Sequence, residues 1–470
     1  MKNQKYLCFI GIVWVVLILP FVGMTLWATN ETTENTELAK WPQWKKEDGY
    51  NQAYLQEMGA YFEDHFAFRQ AFVTANAVLR AKVLHTSATD QVVLGEKDWL
   101  YFSGTLADYT GTNLFSEREQ YALIHNMKLM QSYIEAQGSQ CLFLIPPNKN
   151  TLYDENMPYY YQKGETSNLQ QLSQKFAAEG IAYLDLYEIF RQQEEVLYFQ
   201  RDSHWNNQGA LLAYTSLMEQ IGRTSDTYET YRNVPRHVEQ NHVGDLDEML
   251  YPLAVQLEAD TVFDKTPDFV YVNDVIDNMD EWIETKNPKQ TGSILMYRDS
   301  FGESLLPFVA DAFGTGYFSR LVPYNLLQVE QYHPDVVVIE KVERNLDDFI
   351  WDMPIMECPQ VSDIAAPQVE TSTTIETKKA GSFLEIKGRL DESYLQTDTE
   401  IYVAVQDLQT MQTKTYQTFY TATEDVDANG YHLYLKGASV PQGEIQISVI
   451  AVKQKQPFVV ADTTITWSEA

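Results

Sequence analysis

Residues 196–206 read Val196-Leu197-Tyr198-Phe199-Gln200-Arg201-Asp202-Ser203-His204-Trp205-Asn206, and an amphipathic pattern from Gly209 to Ile221 follows. An apolar run, a short polar loop and a helix-period segment predict strand, tight loop and helix. The loop carries an acid and an imidazole two residues apart. In an extended loop such residues point to the same side, so Asp202 can hold one ring nitrogen of His204 and leave the other to take a proton. A second unit of this kind lies about a hundred residues on. There Ser293-Ile294-Leu295-Met296-Tyr297 leads into Arg298-Asp299-Ser300-Phe301-Gly302 and a helical pattern up to Phe313. A serine on a sharp strand-to-helix turn is exposed, and the N–H groups at the helix start are placed to stabilise an oxyanion.

Working outward, Cys141 to Ile145 is a continuous apolar run of the sort found in a buried parallel strand, with Pro146-Pro147-Asn148-Lys149 at its C-terminal end. Ser116 with Glu119 forms a capping-box signature ahead of a helix to Gln137, which Gly138 ends. Residues 168–179 read as a helix. Residues 181–186, 318–322 and 335–340 read as strands, and 92–94 with 99–102 as a hairpin. Alternating strands and helices over residues 90–350 predict a parallel sheet with helices on both faces, and ligands bind such sheets at the strands' C-terminal ends. Both loop units and Lys149 are expected there. Residues 222–290 are irregular, aromatic and acidic, and read as an insertion or lid-like segment.

Residues 50–84 carry apolar side chains at helical spacing, and residues 7–28 contain no charge. The uncharged run is long enough to cross a bilayer, and Lys2 and Lys5 place its N-terminal side inside. A cleaved signal peptide is the rival, but Leu26 stands where a cleavage site needs a small residue. The expected organisation is an anchor over 1–28, a polar linker over 29–45 and a catalytic α/β domain over 46–366. A Thr/Glu/Lys connection over 368–379 then leads to a β-sandwich over 380–470, read from about six short alternating segments. The expected location is the cell membrane, single-pass, with the catalytic domain outside the cytoplasm.

The chain has 66 acidic and 34 basic residues, a formal net charge of −32. Nucleic-acid binding needs clustered Lys and Arg and is excluded as a function class. The acidity reads as solubility, or as a substrate that is not polyanionic. Cys8, Cys141 and Cys358 lack CxxC spacing, so no zinc or redox motif is present. A Cys141–Cys358 disulfide is the alternative to a reduced, buried Cys141.

The residues leave alternatives open. Asp-x-His occurs by chance, and Ser300 with Gly302 is also a plain helix-start motif. Ser203 and Ser304 are competing nucleophiles. Asp202, His204 and His242 form a metal-site rival that lacks a well-spaced further ligand, so no metal or cofactor is expected. Trp205, Tyr297 and Tyr324 are candidate sugar-stacking aromatics whose commoner role is core. Lys149, Asn206, Arg298 and Arg344 are candidate substrate or oxyanion contacts whose commoner role is structural.

Arg201 to Asn206 resembles the signature of the DHHW family and the related alginate O-acetyltransferase group, which are SGNH-hydrolase-like. The likeness extends, in order, through Asp64-His65-Phe66 with Arg69, Leu94-Gly95 with Trp99-Leu100-Tyr101, and Pro146 to Lys149. It continues through Gly244-Asp245-Leu246, Asp299-Ser300-Phe301 and Glu343-Arg344-Asn345, covering residues 50–350. The resemblance implies Ser300 as nucleophile, His204 as base and Asp202 as its partner. It also implies O-acetylation of a cell-surface or secreted polysaccharide, with an integral-membrane acyltransferase as acetyl-donor partner. Two positions depart from the pattern. Ser203 replaces the second-position His, and Arg298 stands where many SGNH enzymes have Gly. An acetyl-polysaccharide esterase with the same triad and a non-catalytic polysaccharide-binding or assembly protein are the alternative functions. The sandwich is similar, in architecture only, to the carbohydrate-binding module of some alginate acetyltransferases.

Overall fold

The computed structural model describes residues 2–27, 38–46, 49–223, 230–423 and 428–468. Its centre is a seven-stranded sheet. In spatial order the strands are Tyr183–Leu184, Gln140–Leu144, Val336–Glu340, Ser293–Tyr297, Thr315–Ser319, Trp282–Lys286 and Val270–Tyr271. The first five pair in parallel. The last two are antiparallel, so the sheet is mixed, not wholly parallel as the sequence suggested. The antiparallel edge comes from the irregular 222–290 region, part of which is therefore integral to the sheet.

Side-chain alternation along each central strand sorts residues into two cores. Cys141, Phe143, Leu295, Tyr297, Val337 and Ile339 face the helix Glu117–Ala136 and its neighbours. Leu142, Leu144, Ile294, Met296 and Val338 face the helices Asn207–Gln220 and Gly302–Ala312. A strand covered on both faces must be apolar at every position, which is why these runs read as unbroken hydrophobic stretches. The capping box is present: Ser116 accepts from Glu119 N, and Glu119 accepts from Ser116 N at 2.8 Å.

Three expected strands differ. The 318–322 strand lies earlier, at Thr315–Ser319, where it pairs with Ser293–Tyr297. The 181–186 strand is only Tyr183–Leu184, because Asp185 accepts from Glu188 N and starts the helix Leu186–Phe190. The run 196–199 is not a sheet strand. It doubles back on the loop that follows it, through a single antiparallel bridge between Tyr198 and Trp205 and the bonds Phe199 N to His204 O and Asn206 N to Leu197 O. Leu197 and Tyr198 are buried in the second core and Phe199 is buried beside His242, while Val196 is exposed, so the strand-like reading comes from three enclosed apolar side chains.

The C-terminal strands form a five-stranded and a four-stranded antiparallel sheet. They begin earlier than expected, since Gln360–Val361 already pairs with Thr415 and Tyr416. The stretch taken for a free connection is partly strand, from Glu376 onward. These sheets share a continuous apolar core with the Glu117–Ala136 helix. Buried polar contacts fix the junction: Asn126 donates to Phe349 O and Tyr420 O and accepts from Tyr420 N, and Arg118 donates to Thr399 O at 2.7 Å. Cys141 and Cys358 are buried free thiols.

The N-terminal helix is Lys2–Trp27, and residue 28 of the expected anchor and residues 29–37 of the expected linker lie outside the described residues. Among the described residues no helix is long and apolar enough to cross a membrane. Several side chains of Lys2–Trp27 lie outside that description.

Candidate active site

Ser300 sits one residue before the N-cap of the helix Gly302–Ala312, on the turn that leaves the central strand Ser293–Tyr297. The turn is held from beneath. Asp299 accepts from Phe301 N and Val342 N, both at 2.8 Å, while Asp299 N donates to the buried Glu340 at 2.9 Å. Gly302 is required by close approach, since a Cβ there would meet the Arg298 side chain at 2.7 Å. Among the described residues, the N–H groups of Ser300 and Gly302 have no acceptor, which leaves both for an oxyanion.

The 201–206 loop is built by other means. Lys149, at the end of the strand Gln140–Leu144, donates to Leu100 O, Gln200 O and Asp202 O at 2.6–2.8 Å. Arg201 is clamped on the buried Asp247. Gly244 lets a second segment approach, because a Cβ there would fall 2.3 Å from Arg201 O.

The two units meet. His204 Nε2 lies 2.8 Å from Ser300 Oγ, and His204 Nδ1 lies 2.8 Å from Asp202 Oδ1. Asp202 also accepts from His204 N at 2.8 Å and Asp245 N at 3.1 Å, and its second oxygen is 2.9 Å from His242 Nε2. Burial opposes the charged form of Asp202, but His204 and His242 outweigh it and hold the carboxyl well below its ordinary value. Burial likewise opposes charge on His204, and Asp202 outweighs it, so the imidazole stands above its usual value. Burial and the nearby Asp202 raise Asp245. His242 stacks on Phe199 with ring centroids 3.6 Å apart. The group opens on a cleft of about 430 Å³ lined by Ser300, His204, His242, Asp260, Glu303 and Phe308.

The competing nucleophiles are engaged elsewhere: Ser203 donates to Asp245 Oδ2 at 2.6 Å, and Ser304 accepts from Trp205 Nε1 at 2.7 Å. The acid and imidazole side chains that cluster as a metal group would are Asp202, His204 and Asp245, with atoms within 4.8 Å of one another. His242 is not in that set, and its members already hydrogen-bond one another or Ser203.

Several expected contacts lie elsewhere. Trp205, Tyr297 and Tyr324 are buried, so none offers a ring face to a sugar. Asn206 caps its helix by accepting from Gln208 N and Gly209 N. Lys149 is enclosed by its three carbonyl partners, and burial pulls its pKa to about 7. Arg298 is buried beneath the turn and donates to Asn278 O at 2.5 Å, and burial lowers its pKa to about 10. Arg344 lies over the rings of Phe102 and Phe301, 5.5 and 5.4 Å from their centroids. The first unit does not follow a sheet strand, so of the two loop units only that of Ser300 stands at a strand's C-terminal end in the manner expected. The roles of His242 and Asp245 as partners of the Asp202 loop were not legible. In the sequence His242 groups with Asp202 and His204 only as a metal ligand, and Asp245 enters only as part of the Gly244-Asp245-Leu246 resemblance.

A hydroxyl on the turn after a central parallel strand, facing an imidazole and a carboxylate from a separate loop, is an arrangement suited to nucleophilic catalysis. Residues 92–289 match the family model of the SGNH hydrolase-like domain of acetyltransferase AlgX. The matched span includes Asp202 and His204 and ends before Ser300. Among solved structures, Bacillus cereus PatB1 is similar at 18% identity and TM-score 0.44, over 54% of this chain and 96% of that one. A DHHW family protein from Eubacterium siraeum aligns at 12% identity and TM-score 0.41, over 54% and 94%. Pseudomonas aeruginosa AlgX aligns at 14% identity and TM-score 0.36, over 77% and 94%. No curated protein matches the chain.

Proposed function

We propose that this chain is a membrane-anchored O-acetyltransferase, facing out of the cytoplasm, that acetylates hydroxyls of a cell-surface or secreted polysaccharide. The observation that carries the chemistry is the unbroken hydrogen-bonded line from Ser300 Oγ through His204 to Asp202, opening on a cleft. His204 takes the Ser300 proton as Oγ attacks the carbonyl carbon of an acetyl donor. The N–H groups of Ser300 and Gly302 receive the oxyanion, and the donor leaves with the proton from His204. A sugar hydroxyl then gives its proton to His204 and attacks the acetyl-serine, which returns Ser300 to its free form. Asp202 keeps the ring oriented and stabilises the imidazolium. The reading of the reaction as acetyl transfer is supported by the match to an acetyltransferase family over residues 92–289.

The anchor is supported by the uncharged run over 7–28, of which residues 7–27 lie in the helix Lys2–Trp27, where Leu7, Phe9, Ile12, Trp14 and Val22 are exposed. At 1.5 Å per residue the uncharged part of that helix rises about 32 Å, close to a hydrocarbon core of about 30 Å. An integral-membrane acyltransferase is the acetyl-donor partner in this reading.

The test incubates the protein with a chromogenic acetyl ester, with and without oligosaccharides, and weighs the products. Acetylated oligosaccharide that disappears in Ser300→Ala supports transfer. Acetate release with no sugar acetylation on any acceptor assigns the site to ester hydrolysis. Activity intact in Ser300→Ala removes Ser300 from the chemistry.

A further inference from the structure

The chain carries 66 acidic residues, yet residues 65–89 contain none, while they contain Arg69, Arg80 and Lys82. This stretch forms the helix Arg69–Leu79, continued by a wider turn over Arg80–Leu84. One face is docked on the body of the protein. Ala77 is buried with Val92, Leu100, Leu246 and Leu250, and Thr74 Oγ1 accepts from Leu253 N at 3.1 Å. At about 100° per residue, Phe72 and Leu79 lie roughly 140–160° around the axis from Ala77. They are 49% and 57% exposed, and Phe68, Val83 and Leu84 beside them are 45%, 63% and 61% exposed.

An ordinary surface helix turns its apolar stripe inward and its polar side out. Here only Thr74 and Ala77 are buried, and the larger apolar residues Phe72, Leu79, Val83 and Leu84 face out with cations beside them. Trp41, Trp44 and Tyr50, just upstream, are also exposed. A basic, acid-free amphipathic helix in so acidic a chain is complementary to an anionic lipid surface, where large apolar side chains enter the boundary between headgroups and acyl chains. Exposed Trp and Tyr favour the same depth.

We propose that the outward face of residues 68–84 is a docking surface for an anionic lipid bilayer. The docked face of the same helix packs through Leu246 and Leu250 on the helix Asp245–Leu250, whose first residue holds Ser203 and Asp202 in place. Lipid contact at this face therefore fixes the orientation of the cleft relative to the bilayer. The proposal depends neither on the role of Ser300 nor on residues 7–28 spanning a membrane.

The test uses the full chain with Cys8→Ser and a bimane label at Leu79→Cys. The remaining native thiols, Cys141 and Cys358, are buried. A label at Val238→Cys, on the exposed hairpin strand Arg236–Val243, is the control. The protein is reconstituted in phosphatidylcholine vesicles with or without phosphatidylglycerol, each containing a doxyl-labelled quencher lipid. The expected result is loss of fluorescence at Leu79 but not Val238. The loss is greater with phosphatidylglycerol and is reversed by salt or by Arg80→Glu with Lys82→Glu. Quenching at Leu79 no stronger than at Val238, or equal with and without anionic lipid, overturns the proposal. Quenching that appears only with a co-reconstituted integral-membrane acyltransferase assigns the face to a protein partner and also overturns it.

Discussion

Replacing Asp202 with Asn separates the electrostatics of the site from its shape. Four donors converge on this carboxylate: His204 N, His204 Nδ1, His242 Nε2 and Asp245 N. An amide keeps one acceptor oxygen and presents an NH₂ on the other side. If the NH₂ faces His204, the ring must become the other tautomer, with its proton on Nε2 toward Ser300, and it can no longer accept the hydroxyl proton. If it faces His242 and Asp245, donors meet donors, at a cost of about 1–3 kcal/mol for each group left unsatisfied. In both cases the imidazolium loses its anionic partner. In a serine protease triad the equivalent change lowers kcat about 10⁴-fold with the geometry intact, and a fall of about 10³–10⁴-fold is expected here. The assay is release of the alcohol from a chromogenic acetyl ester, with circular dichroism and thermal melting to show that Asp202→Asn is folded. KM should change little. A folded Asp202→Asn protein within about tenfold of the parent kcat would refute the assignment of Asp202 as the partner of a general base.

Further outcomes follow from the same contacts. Because His204 is raised and works as a base only when neutral, the acid limb of kcat/KM should have its midpoint above the ordinary imidazole value of about 6.5, and removal of the Asp202 charge should move it down. A pH-rate profile checks both. His242→Ala removes one hydrogen bond to Asp202 and should lower kcat by about tenfold, with KM unchanged in steady-state kinetics. Lys149→Met leaves three carbonyl groups without their donor and should cost about 2–4 kcal/mol in denaturant unfolding. Asn126→Ala cuts the buried link between the α/β core and the C-terminal sheets, and calorimetry should show a loss of about 2–4 kcal/mol.

The reasons some features could be read in the sequence and others not are physical. The central strands were legible because burial on both faces makes every position apolar, and the helices because their caps and periods are local. The Asp202–His204 pair and the Ser300 turn were legible for a similar reason, as short polar stretches bounded by apolar runs. The 196–199 run was misread because four apolar residues look alike in a sheet strand and in a buried hairpin arm. Trp205, Tyr297 and Tyr324 carry polar tips that suggest a surface, but each is enclosed by contacts from residues distant in sequence. Lys149 holds three carbonyls, and His242 and Asp245 reach Asp202 from about 40 residues away. No periodicity encodes such contacts. The antiparallel edge over 270–286 was hidden by its acids and aromatics, which suit a sheet margin more than a core.

The most direct test of the central claim is intact-protein and peptide mass spectrometry after brief exposure to an acetyl donor without an acceptor. The expected result is a mass gain of one acetyl group that maps to Ser300, decays when an acceptor sugar is added, and is absent from Ser300→Ala. Turnover of the donor with no acetyl on Ser300, or the same acetyl-enzyme in Ser300→Ala, would contradict it.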